Sequence, residues 1–244
     1  MTKQSNRAAV LAVAAVLVVV VAVLVLVQVL GDDEQPVTAS GDDASSAPVE
    51  VPPGECIDPP PLPEAPMTFD EVPDASLAED STWTATVSTN CGNIVMELDG
   101  AAAPQTVASF IFLAREGYWD DSACHRLTTQ EDGIFVLQCG DPTGTGGGNP
   151  GYGYGVENPP EDFGYPRGTL AMARTTDPNT NGGQFFIVYE QTELNDPNGY
   201  TIFGTVTEGM DIVDRIVESG KGGEIAPTAP KQPISILGVT VEKG

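Results

Sequence analysis

Three segments of the 244-residue chain stand out for the chemistry their side chains could carry. The first is Cys124-His125-Arg126-Leu127, followed after a turn by Phe135-Val136-Leu137-Gln138-Cys139-Gly140-Asp141. The second is Gly168-Thr169-Leu170-Ala171-Met172-Ala173-Arg174, and the third is Pro178-Asn179-Thr180-Asn181-Gly182-Gly183-Gln184-Phe185-Phe186-Ile187. His125 is the single histidine. It is therefore the one imidazole available to a Ser/Cys–His pair, and it is too little for a multi-histidine metal site. Gly144-Thr145-Gly146-Gly147-Gly148 has the composition of a phosphate cradle but lacks the following Gly-Lys-Ser/Thr, so nucleotide binding is not expected. Asp120-Asp121 and Glu131-Asp132 are scattered surface acids, and no metal site is expected there.

The elements that must position these residues follow from hydropathy patterns. Residues 83–89 read as a strand, Asn90-Cys91-Gly92-Asn93 as a turn and 94–98 as the return strand. Pro104 opens a helix in which Val107, Phe110, Ile111 and Ala114 recur at helical spacing, with Gly117 as its stop. Residues 123–128 and 134–139 are β-prone, 141–155 are a loop rich in Gly, Pro, Asn and Tyr, and 169–173, 184–189 and 200–206 are further strands. Residues 210–217 read as a second helix and 234–241 as a last strand. Many strands with two helices and no regular βα alternation predict an antiparallel sheet or barrel with helices at its ends.

Charge divides the chain. Of a net charge of −25, residues 1–30 carry +2, residues 31–81 carry −14 and residues 82–244 carry −13. Clustered bases are missing, so nucleic acid is not an expected partner. Residues 1–7 read as a short cytoplasmic N-terminus, and 8–30 as 23 residues of Ala, Val and Leu interrupted only by Gln28. As a helix they would extend about 35 Å, enough to cross a hydrocarbon core of about 30 Å. Lys3 and Arg7 precede this span and Asp32, Asp33 and Glu34 follow it, which predicts a single-pass anchor with the remainder exported. Val37-Thr38-Ala39 imitates a signal-peptide cleavage site but lies well past the apolar end. Residues 31–81 hold 10 of the 21 prolines and few large apolar side chains, and so read as a disordered acidic linker before a globular domain over 82–244.

Cys56, Cys91, Cys124 and Cys139 all follow the apolar span, and outside the cytoplasm an even count favours disulfides. Four cysteines allow three pairings, with four free buried thiols as the alternative. Cys124 and Cys139 flank two strands that read as a hairpin and so face each other across it, which leaves Cys56 for Cys91.

Together the three segments resemble the cyclophilin family of peptidyl-prolyl isomerases over roughly residues 83–243. Tyr200-Thr201-Ile202-Phe203-Gly204 and Gly209-Met210-Asp211-Ile212-Val213 extend the resemblance, and Asp141-Pro142-Thr143-Gly144-Thr145-Gly146 looks like its bacterial, actinobacterial-like branch. The resemblance implies a mainly β fold: a closed eight-stranded antiparallel barrel capped by two α-helices, here preceded by the transmembrane helix and linker. It implies rotation about Xaa-Pro bonds with no cofactor, Arg126 as the catalytic cation, and a proline pocket of Phe135, Val136, Phe186, Leu194 and Tyr200. Gln138 and Gln184 match polar positions that hold the peptide backbone, and Ala173 and Arg174 match a pair whose main chain lines the groove. His125 is expected to be structural. Val136, where a longer apolar residue is common, implies a shallower pocket floor. Arg174, where asparagine is frequent, is expected to add a charge to the groove. Glu193 replaces a tryptophan that helps some members bind cyclosporin.

The sequence therefore predicts a membrane-anchored, monomeric isomerase domain outside the cytoplasm that acts on Pro-containing exported or envelope proteins. The competing reading is a non-catalytic module that holds proline peptides as a scaffold.

Overall fold

The computed structural model describes residues 51–244. The predicted span over 8–30 lies outside them, and no helix among the described residues is long and apolar enough to cross a membrane. Alternation in the first hairpin sets the core: Trp83, Ala85 and Val87 of β1 (Thr82–Thr89) and Ile94, Met96 and Leu98 of β2 (Gly92–Asp99) point inward, with polar residues between them. Helix α1 (Pro104–Arg115) starts at a proline and stops before Gly117, whose φ of +68° is the left-handed conformation that glycine adopts without strain. Its Phe110 meets Trp119, Phe185 and Phe203 at ring-centroid distances of 4.6, 5.9 and 5.7 Å. This aromatic contact fastens the helix to the inner face of the sheet.

The remaining strands are β3 (Ser122–Ala123), β4 (Arg126–Leu127), β5 (Val136–Cys139), β6 (Gly164–Tyr165), β7 (Thr169–Met172), β8 (Phe185–Val188), β9 (Thr192–Glu193), β10 (Ile202–Glu208) and β11 (Ser235–Lys243). Helix α2 (Met210–Ser219) follows β10. The large sheet has the order β3-β11-β1-β2-β10-β7-β8-β5-β4, and β6 pairs with β9 separately. The eight strands expected of a closed barrel are thus seen as nine in a curled sheet. Its first and last strands are the two halves of residues 122–127, parted at Cys124-His125. One half pairs with β11 and the other with β5, so the chain itself, rather than a ladder, joins the two ends.

Strands β7 and β8 are buried along their whole length. Their inner face meets the main core. Their outer face carries a second apolar cluster of Val136, Tyr165, Ala171, Phe186, Val188 and Leu194, with Ile134, Ala173, Tyr200 and Ile202 packed against it.

Both expected disulfides are present, Cys56–Cys91 and Cys124–Cys139. The disordered linker expected over 31–81 does not describe its second half. After Cys56, Ile57 N–H donates to the Asn90 carbonyl at 2.8 Å, and the Asn90 amide returns a bond to the Ile57 carbonyl at 2.8 Å. Phe69 N–H donates to the Pro150 carbonyl at 2.7 Å, and its ring meets Phe112 edge-on at 4.8 Å. A 3-10 turn over Ala75–Ala78 then presents the Ala78 carbonyl to the Trp83 indole at 2.9 Å. Average composition misses this because Phe69 and Leu77 are spaced singly, and each finds an apolar site already built by the domain. The disulfide lowers the entropy lost in ordering the segment.

Candidate active site

One register row crosses four strands. Arg126 lies opposite Gln138, Gln138 opposite Phe186, and Phe186 opposite Ala171. Ladder partners share a face, so a cation, an amide, an aromatic ring and a small residue stand side by side on the outer surface of the sheet. Two residues along β5, Val136 joins the same face by alternation. Arg126, Val136, Gln138 and Phe186 line a hollow of about 330 Å³, completed by Ile134, Ala173, Leu194 and Tyr200 and rimmed by His125 and Thr228. A second hollow of about 480 Å³ adjoins it, and the two share Gln138, Gly146, Ala173 and Arg174. Together they make a continuous groove rather than a closed pocket.

A chain of amides sets the polar side of this groove. Arg126 Nη1 donates to Gln138 Oε1 at 3.0 Å, and Gln138 Nε2 donates to Gln184 Oε1 at 2.9 Å. Gln184 Nε2 donates in turn to the Gly146 and Gly148 carbonyls, at 3.0 and 2.8 Å. Every member is oriented by the next. No carboxylate pairs with Arg126 among the described residues, so its charge faces the groove without compensation.

The loop that receives these bonds is organised by the buried Asp141. Its carboxylate accepts from the Thr143, Gly146 and Gly148 amides at 2.8, 2.6 and 3.1 Å, and from the Thr143 hydroxyl at 2.7 Å. Burial alone would raise its pKa, but these donors outweigh burial and hold it below the ordinary carboxylate value. Gly140 precedes it at φ +89°, and a Cβ there would strike the Gly183 carbonyl. That contact brings the loop close to the end of β8.

Most residues expected at the site come together. Arg126, Val136, Gln138, Ala173, Arg174, Phe186, Leu194 and Tyr200 line the first hollow, and Gln184 lines the second. Ala173 N–H donates to the Gln184 carbonyl at 2.9 Å, which fixes the main chain along the groove.

Two expectations need correction. Phe135 does not line the groove. It packs against the main core, with its ring 5.8 Å from that of Tyr189, and Ile134 lines the hollow instead. Alternation is the reason: Ile134, Val136 and Gln138 share one parity, and Phe135 has the other. Arg174 adds no free charge. Its side chain is 1% exposed, pairs with Asp196 at 2.6 Å, donates to the Gly199 carbonyl and lies 4.5 Å from the centre of the Tyr200 ring. It thereby builds the wall beneath Tyr200. Ile134 and Thr228 were missed. Strand parity pointed to the first, whereas Thr228 arrives from a distant loop through the bond from Leu127 N–H to its carbonyl at 2.7 Å.

Residues 84–241 match the family described as cyclophilin type peptidyl-prolyl cis-trans isomerase/CLD. The chain is 42% identical over 173 residues to the "Probable peptidyl-prolyl cis-trans isomerase B" of Mycobacterium leprae, covering 65% of this chain and 57% of that protein. The chain thus spans little more than half the length of that relative. It is 38% identical over 191 residues to the "Peptidyl-prolyl cis-trans isomerase A" of Mycobacterium tuberculosis, covering 70% of this chain and 97% of that one. Among solved structures, a cyclophilin type peptidyl-prolyl cis-trans isomerase of Cryptosporidium parvum matches with a TM-score of 0.56 at 27% identity, over 67% of this chain and 99% of that one. The same Cryptosporidium parvum protein, solved in the presence of the dipeptide Ala-Pro, matches with a TM-score of 0.56 at 28% identity, over 66% of this chain and 99% of that one.

Proposed function

Because the chain belongs to the cyclophilin-type peptidyl-prolyl cis-trans isomerase family, we propose that it catalyses rotation about Xaa-Pro bonds in exported or cell-envelope proteins and so assists their folding. The prolyl amide rotates slowly because resonance gives its C–N bond double-bond character, with a barrier of about 18–20 kcal/mol. In the twisted state the nitrogen loses conjugation and regains a lone pair. A cationic donor fixed near that nitrogen binds the twisted state better than the planar one, which is the condition for catalysis. No bond breaks, so the reaction needs no nucleophile.

The observation that carries this reading is Arg126: an uncompensated guanidinium, held by Gln138, beside an apolar hollow. Val136, Phe186, Leu194 and Tyr200 offer the proline ring an apolar seat, and the adjoining hollow accommodates flanking residues of an extended peptide. The twist takes place between the seated ring and the cation.

We place the domain outside the cytoplasm, on a single-pass anchor over 8–30 with a cytoplasmic N-terminus, and acting as a monomer. The positive flank at Lys3 and Arg7, the apolar run and the acidic residues that follow support this reading. Two disulfides suit an oxidising compartment. Exchange spectroscopy of a short Xaa-Pro peptide with the purified protein tests the activity: accelerated cis–trans exchange is expected, and none would defeat it. Cysteine labelling from either side of intact cells, with single cysteines introduced at Ser5 and Ser40, tests the orientation. Access to Ser40→Cys only from inside would overturn it.

A further inference from the structure

The disulfide Cys124–Cys139 stands immediately behind the groove. Cys124 is two residues before Arg126, and Cys139 directly follows Gln138. Both sulfurs belong to the main core, on the face of the sheet opposite the one that carries Arg126 and Gln138. The strand that bears Arg126 is short, and outside its ladder to β5 it is held to a distant loop by Leu127 N–H donating to the Thr228 carbonyl at 2.7 Å. The strand is two residues long, lies at the end of the sheet and pairs with β5 at only Arg126↔Gln138 and Leu127↔Leu137. On its other side the ladder breaks at Cys124-His125, where the chain crosses to β11. The guanidinium itself has one side-chain partner, the neutral Gln138 amide. Its place therefore depends on the backbone from which it grows.

We infer that Cys124–Cys139 is a positioning disulfide for the catalytic pair, one that fixes Arg126 and Gln138 relative to the proline seat and makes turnover depend on the oxidised state of this bond. The inference rests on the isomerase reading above. The seat itself stands on Val136, Phe186, Leu194 and Tyr200, of which Phe186 lies on the fully buried β8. Opening the bond should therefore displace the cation while leaving the seat. Since a misplacement of about 1 Å can cost about a hundredfold in rate, the expected effect falls on kcat rather than on peptide affinity. Reduction by a dithiol supplies two electrons and two protons; the S–S bond breaks, two thiols form, and the dithiol closes to its own disulfide.

The test uses the full chain as wild type, as Cys56→Ala/Cys91→Ala and as Cys124→Ala/Cys139→Ala. The first pair of substitutions should leave kcat near wild type. The second should lower kcat by about tenfold to a hundredfold, with peptide affinity within about twofold. In the Cys56→Ala/Cys91→Ala chain, dithiothreitol should reproduce that loss and reoxidation should restore it. If the Cys124→Ala/Cys139→Ala chain does not fold, the reduced and alkylated Cys56→Ala/Cys91→Ala chain gives the answer. Loss of kcat with retained affinity for the proline peptide supports positioning. Full kcat overturns it, as does a parallel loss of kcat and affinity, which marks a purely structural bond. Absence of isomerisation in the oxidised wild type would instead defeat the isomerase reading itself.

Discussion

His125 is the only imidazole in the chain, and it stands between Cys124 and Arg126 with 4% of its surface exposed. Neither ring nitrogen has a hydrogen-bond partner among the described residues. Burial, aided by the charge of Arg126 and opposed by that of Asp141, holds its pKa below the ordinary 6.5. The folded chain then binds fewer protons than the unfolded chain once pH falls below about 6.5, so stability should decline from there toward the folded-state pKa and level off beneath it. Unfolding midpoints between about pH 7.5 and 5 measure this, and His125→Gln should remove the imidazole's share. A lone histidine also makes the NMR titration unambiguous. An imidazole that titrates above 6.5 would contradict the account. At this scale the sequence was informative where motif and chemistry coincide, as at Arg126, Gln138 and Phe186. It misled at Phe135, because motif order was followed where strand parity decides which face a side chain takes.

Among the elements, the segment 51–81 changes the picture most. Its Phe69 amide bonds the Pro150 carbonyl, and a Cβ on Gly144 would meet Leu62 Cδ1 at 2.6 Å. The segment thus runs behind the same loop whose Gly144, Gly146 and Gly148 border the groove. Phe69→Ala should cost about 1–2 kcal/mol through lost apolar burial at a partly buried site. It should also speed amide exchange at Gly146 and Gly148, and urea unfolding with hydrogen exchange reads both. Unchanged exchange there would show that the segment rides on the domain without supporting it. A catalytic fragment cut at 82 would lack Cys56 and leave Cys91 unpaired. The long alternating strands β1 and β2 and the proline-led helix α1 were legible because their period persists over many residues. The pairs β6 and β9, of two residues each, carry no period to read, and the break between β3 and β4 follows from tertiary pairing with β11 and β5.

For the whole molecule, charge is the property that reaches furthest. The net charge of −25 is spread unevenly, and the globular region still carries −13 with only eight bases. Of these, Arg167, Arg174, Arg215, Lys221 and Lys243 are spent in ion pairs. Arg126 is thus a local positive charge in an acidic surround. A proline peptide flanked by lysines should bind more tightly at low salt, losing about threefold to tenfold in affinity between about 20 and 500 mM salt, because the Debye length shrinks below the spacing of surface charges. A neutral peptide should change little. Calorimetry of the two peptides compares them, and equal salt dependence would remove charge as a source of preference. Composition made this legible from the start; which bases were already paired required the fold.

In the proposed mechanism Arg126 stabilises the twisted amide more than the planar one. Exchange spectroscopy on one Xaa-Pro peptide, with wild-type protein and Arg126→Ala, tests it most directly, since it yields both the exchange rate and the affinity. Loss of a preorganised donor predicts a fall in turnover of about a hundredfold to a thousandfold. Peptide affinity should stay within about threefold, because the proline seat is untouched. Equal losses in rate and affinity, or an Arg126→Ala chain that turns over as wild type does, would contradict it.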